Sequence, residues 1–124
     1  MIGDSGLAWL IDESGTYRLT CGWLVVIRAE WCDVSVGRPR GLSYALVLKD
    51  ERGNRILGFD NSHAFDGAGP DDTFDHEHRV GKVGQRFQYD FVSPGKLLDD
   101  FWERMEAHCI NKGFSFDFED GTNE

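Results

Sequence analysis

The chain has 124 residues, 40% hydrophobic and 28% charged, with four Trp and nine Phe, and its formal charge is −9. That is enough apolar material for a single domain over residues 1–124 without disulfide or metal support, with disorder expected only at the ends. The negative charge disfavours a nonspecific polyanion binder, but leaves room for a local basic patch such as Arg38 and Arg40 in "GRPRG", or Arg79, Lys82 and Arg86.

In chain order, "GLAWLI" is expected to form a short first strand that leads into the turn "DESG". From Tyr17 to Trp31 the odd positions read Tyr, Leu, Cys, Trp, Val, Ile, Ala, Trp, the period-two signature of a strand with one buried face, and Gly22 marks a bulge or bend within it. The best apolar run, "GWLVVI", is cut off by Arg28 and Glu30, far short of the roughly 18 residues of a membrane span. No membrane association and no secretory leader are expected. After "VGRPRG", Leu42, Tyr44, Leu46 and Leu48 alternate again, and "DERGN" turns the chain into "RILGFD", a hairpin with Gly53 and Asn54 tolerant of positive φ.

Residues 61–85 are rich in Gly, Asp and His and read as a long polar loop, a feature that is usually functional or disordered. "RFQYDFV" supplies a further strand with Phe87, Tyr89 and Phe91 on one face. The period then becomes helical, with Leu97, Leu98, Phe101, Trp102, Met105 and Cys109 as one stripe, Ser93 as N-cap, Pro94 in the first turn and Gly113 as terminator. "FSFDFED" adds an edge strand whose acidic end frays over 119–124. The expected fold is α+β: a meandering antiparallel sheet of about five strands with one long C-terminal helix packed on one face.

The densest chemistry is "DHEH", residues 75–78, preceded by "FDNSH". If 75–78 is extended, His76 and His78 project to one side and Asp75 and Glu77 to the other. Two neighbouring imidazoles suit metal-free RNA cleavage, one taking the 2′-hydroxyl proton and the other protonating the leaving oxygen, with Asp75 or Asp60 orienting a ring. The same groups can ligate a divalent ion through His63, His76, His78 and Asp75, with Asp60 as a further donor, although the spacing matches no familiar metal motif. The third reading is a solvated polar loop. Asp60 and Asn61 end a strand where side chains either position substrate or bond the local backbone. His108, near the helix end, reads as a complement to the terminal carbonyls. Cys21, Cys32 and Cys109 are odd in number, lack Cys-x-x-Cys spacing and read as packing residues of a protein in a reducing cytoplasm.

The order of "LSYALVL", a hairpin, "GFDNSH", a Gly-rich loop, "DHEH", "FQYDF" and "LLDDFWERM" resembles the TumE family of toxins from bacterial toxin-antitoxin pairs, over roughly residues 40–106. The resemblance implies a cytoplasmic, RNA-cleaving toxin silenced by a cognate antitoxin protein. It points to Asp60, Asn61, His63, Asp75, His76 and His78, with Tyr44, Tyr89 and Phe91 as framing aromatics. The extra acids Asp66, Asp71 and Asp72, the poorly matching first strands and the longer tail depart from the family's pattern.

These observations lead to one expectation and two alternatives. The first is a metal-independent ribonuclease toxin without cofactor, in which His76 and His78 share acid and base roles and Tyr44, Arg79, Arg86 and Tyr89 contact substrate. The others are a non-catalytic module whose acidic surface binds a basic protein, and a divalent-metal-dependent hydrolase. The sequence leaves the oligomeric state open.

Overall fold

A computed structural model describes residues 2–119. Six strands follow in order, β1 (Gly15–Arg18), β2 (Leu24–Trp31), β3 (Leu42–Lys49), β4 (Arg55–Asp60), β5 (His76–Arg79) and β6 (Lys82–Gln88), framed by α1 (Ile2–Asp12) and α2 (Pro94–Asn111). Each strand pairs antiparallel with the next, so the order across the sheet is the order along the chain. This is the expected α+β meander, with six strands in place of five.

Period-two patterning fixes which residues face the helices. Val25, Ile27 and Ala29 of β2 lie opposite Leu48, Leu46 and Tyr44 of β3, and Leu48 and Leu46 lie opposite Leu57 and Phe59 of β4. All are buried, in one cluster with Leu97, Phe101, Met105 and Cys109 of α2 and Leu7 and Leu10 of α1. The Ser93 side chain caps α2 by accepting from the Lys96 N–H at 3.1 Å, and Pro94 occupies its first turn as expected. Beyond Asn111 the chain turns at Gly113, whose φ of 79° suits only glycine at low cost.

Four expectations are corrected. "GLAWLI" belongs to α1 and is no strand: a short apolar run has no decisive period, and Leu7, Leu10 and Ile11 stand at i, i+3 and i+4, so a helix buries them while Trp9 stays 40% exposed. The strand expected over 17–31 is a hairpin, because the chain reverses between Arg18 and Leu24 with Gly22 at φ 97°. Its alternation continues unbroken because Leu19 and Trp23 both remain buried across the turn, held by Leu19 N–H to Trp23 O at 2.8 Å. In the next hairpin only Gly53 takes positive φ; Asn54 does not.

The third correction concerns the polar loop of residues 61–85. Its irregular part ends at Asp75, since His76–Arg79 and Lys82–Gln88 are strands turned at Gly81. Polar composition concealed β5, because its side chains bond to one another and to backbone groups, not to apolar neighbours. Tyr89 and Phe91 therefore follow β6 and do not belong to it. Finally, "FSFDFED" makes a single bridge, Leu19 to Phe118, and packs Phe116 and Phe118 on Trp102 instead of extending the sheet. Of the tail expected to fray, residues 120–124 lie outside the described residues.

Gly58 in β4 directly opposes Val47 and His78, and a Cβ there would stand 2.7 Å from the Leu46 carbonyl oxygen, a contact with backbone that cannot swing aside. We expect Gly58→Ala to destabilise the protein by about 1–3 kcal/mol. Gly84→Ala, where a Cβ meets nothing within 4 Å, should change stability by less than about 0.5 kcal/mol. Urea unfolding of the two variants checks both.

Candidate active site

The register of β4 on β5 sorts "DHEH" between the two faces of the sheet. Phe59 pairs with Glu77, placing Glu77 on the side of the helices, and Asp60 pairs with His76 and Gly58 with His78, placing Asp60 and both histidines on the other. Although they face away from α1 and α2, these three are only 6%, 0% and 5% exposed. Gly58 adds no side chain between β4 and the His78 ring.

Each imidazole is fixed at both ends. His76 Nδ1 is 2.7 Å from Phe74 O and His78 Nδ1 is 2.7 Å from Val83 O. A carbonyl only accepts, so each Nδ1 carries the hydrogen and donates it. The two Nε2 atoms are 3.1 Å apart. His76 Nε2 is also 3.0 Å from Asp60 Oδ1, and His78 Nε2 is 3.2 Å from Asp60 Oδ2. Asp60 Oδ1 accepts in addition from the Ser62 N–H at 2.9 Å and the Ser62 hydroxyl at 2.7 Å. Burial alone would raise the Asp60 pKa, but the bonds from His76, His78 and Ser62 outweigh it and hold the carboxyl far below the usual carboxylate range.

Two loops pin this arrangement from the side. Phe74, whose carbonyl receives His76 Nδ1, bonds through its N–H to Gly37 O at 2.9 Å. Its ring sits where a Gly37 Cβ would stand only 2.6 Å away. Arg38 of the same loop donates to Asn61 O at 2.9 Å and Ser62 O at 2.7 Å, anchoring the segment that holds Asp60. A groove of about 310 Å³ borders the cluster through Ala45, which pairs with Asp60, and Ser62, and is lined further by Arg28, Glu30, Ser43 and Ser14.

Asp75 lies on the other face from the imidazoles that it was expected to orient. It is 1% exposed, accepts from the Tyr44 hydroxyl at 2.7 Å, and has Arg40 Nη1 3.7 Å from Oδ2, an oxygen with no hydrogen-bond partner among the described residues. Arg40 itself stacks over Phe91 at 3.9 Å. Burial, and next the charge and bond of Asp75, raise the Tyr44 pKa well above its ordinary value, so the phenol stays a donor.

The other expected residues are dispersed. Asn61 is buried and accepts from Tyr44 N–H at 3.0 Å while donating to Leu42 O at 2.8 Å, a backbone role. His63 is exposed. Arg79 pairs with Glu77 at 3.4 Å and lies 4.1 Å over Phe87. Arg86 bonds loop residues, its N–H to Asp66 Oδ2 at 3.1 Å. The Tyr89 hydroxyl donates to Asp100 at 2.6 Å, and burial followed by that bond raises its pKa. Arg104 of α2, which the sequence did not single out, donates to the buried Glu77 at 2.8 Å and ties β5 to the helix. His108 stacks on Trp23 at 5.4 Å, and burial lowers its pKa, so it fits a neutral packing role better than a cationic cap.

A strand-borne pair of imidazoles with a shared carboxylate is thus the buried polar centre of this antiparallel α+β meander. The chain matches the model of the family described as Toxin TumE over residues 12–108, and it belongs to that family. The match begins at residue 12, so it takes in residues 17–31, which were expected to fit poorly, and leaves out "GLAWLI". No curated protein and no solved structure matches the chain. Among the described residues, no helix is long and apolar enough to cross a membrane.

Replacing Tyr44 by Phe removes the only hydrogen bond to the Asp75 side chain among the described residues and should cost about 1–3 kcal/mol. Because the folded-state pKa of Tyr44 is raised, its contribution is complete below the phenol's unfolded value and is lost as pH climbs past it. Thermal melting between about pH 7 and 11 should therefore show a steeper alkaline loss for wild type than for Tyr44→Phe; parallel curves would count against the Tyr44–Asp75 bond.

Proposed function

We propose that this toxin acts by cleaving RNA at the Asp60–His76–His78 cluster and that a cognate antitoxin protein holds it inactive. The main support is the convergence of two imidazole nitrogens and a carboxylate, all buried, where a purely structural sheet would carry apolar side chains. Desolvating such groups is costly, and clusters that bear this cost concentrate at functional sites.

With both Nδ1 atoms bound to carbonyls, proton exchange with a substrate runs through the Nε2 pair. Their 3.1 Å separation makes them one proton-handling unit instead of an acid and a base on opposite sides of phosphorus. In the proposed reaction this unit removes the proton of a ribose 2′-hydroxyl and the 2′-oxygen bonds to phosphorus. The bond to the 5′-oxygen then breaks, and that oxygen takes a proton back. The products are a 2′,3′-cyclic phosphate and a 5′-hydroxyl end. Asp60 keeps its charge and steadies the protonated imidazole in between. Arg28, lining the adjoining groove, is better placed for a phosphate than Arg79 or Arg86, whose side chains contact Glu77 and the Ala64 carbonyl.

Purified protein incubated with RNA tests this reading. His76→Ala, His78→Ala and Asp60→Asn should each slow cleavage by about 10²–10⁴-fold, with His63→Ala staying within about threefold of wild type. Equal cleavage by all five proteins, with folding verified by circular dichroism, would remove the proposal. A protein that leaves RNA intact but forms a stoichiometric complex with a basic protein, weakened by salt and unaffected by His76→Ala and His78→Ala, would favour the binding-module alternative.

A further inference from the structure

We propose that Asp60, His76 and His78 form a binding site for one divalent first-row transition-metal ion, of which zinc is the best fit, held by both Nε2 atoms and the Asp60 carboxylate. The inference shares with the RNA-cleavage reading only the location of the centre: an ion held by both Nε2 atoms leaves neither free to exchange a proton, so it stands in place of the Nε2 proton route, and binding of the ion rests on the geometry alone.

Because both Nδ1 atoms donate to backbone carbonyls at 2.7 Å, a neutral ring presents a bare lone pair at Nε2. Two such lone pairs and two carboxylate oxygens then converge with no hydrogen between them. A single cation at the common focus satisfies all three side chains together.

The His76 Nε2–Asp60 Oδ1, Nε2–Nε2 and His78 Nε2–Asp60 Oδ2 separations are 3.0, 3.1 and 3.2 Å, and ligands held at about 2.0–2.1 Å from one ion stand roughly 2.8–3.4 Å apart at octahedral to tetrahedral angles. The surroundings also match what ligating histidines need. Each ring gives its other N–H to a fixed carbonyl, which sets the tautomer and aims Nε2, and Ser62 orients the carboxylate through two bonds. Two nitrogens and one carboxylate favour zinc or a related transition ion over magnesium or calcium, which prefer oxygen alone. Three protein ligands leave a position for water, whose pKa such an ion lowers to about 7. Of the donors suggested by the sequence, Asp60, His76 and His78 come together, whereas Asp75 and His63 do not join them.

Full-length protein freed of metal by chelator and titrated with zinc in a calorimeter should bind one equivalent, with magnesium and calcium far weaker. Asp60→Asn, His76→Ala and His78→Ala should each weaken zinc by at least about 100-fold, whereas His63→Ala and Asp75→Asn retain it. Cobalt(II) in place of zinc should give visible absorption bands that vanish in His76→Ala. No stoichiometric uptake by wild type, or unchanged uptake in all three cluster variants, overturns the site. Zinc bound by a protein that leaves RNA intact refutes the cleavage reading and supports this one. Cleavage by a protein that binds no ion does the reverse.

Discussion

The three-pair ladder between β4 and β5 is the constraint on which the remaining structure depends. By setting Gly58 against His78, Phe59 against Glu77 and Asp60 against His76, it divides a run of four ionisable residues into two buried halves. A shift of one residue would exchange the faces, presenting Glu77 to solvent and driving the imidazoles into the apolar layer under α2. The register is thus held by the chemistry of both faces at once, with Glu77 anchored to Arg104 on one side and the histidines to Asp60 on the other.

The two halves serve different purposes. On the helix side, Tyr44, Asp75, Arg40 and Phe91 close the end of the core, and Glu77 with Arg104 fastens β5 to α2. These polar contacts hold β5 in place. On the opposite side the Asp60–His76–His78 group is over-determined: every nitrogen and both carboxylate oxygens have a partner within 3.2 Å. Rings clamped at Nδ1 lose little freedom when Nε2 engages a proton or an ion, which is what a preorganised centre requires.

Several of these features were legible in the residues. Alternation identified β3, β4 and the hairpin joining them, and Ser93, Pro94 and the helical stripe located α2. The parity of an extended "DHEH" already separated the histidines from Asp75 and Glu77. That parity alone counted against Asp75 as the partner of the imidazoles. Asp60 was the other carboxylate named for that role, and distance along the chain left the choice open, since Asp60 and His76 become neighbours only when β4 and β5 pair. The N-terminal helix stayed hidden because six apolar residues fit either period, and the hairpin at Gly22 because its turn preserves alternation.

Local pattern therefore determined the elements whose own residues repeat with a clear period, together with the family to which the chain belongs and the inventory of groups available for chemistry. Tertiary structure decided which of those groups meet. A carboxylate from one strand reaches two imidazoles from the next through cross-strand register, and carbonyls of Phe74 and Val83 fix the ring hydrogens. Neither relation is written in composition or spacing, because both arise from backbone pairing between segments that sequence keeps apart.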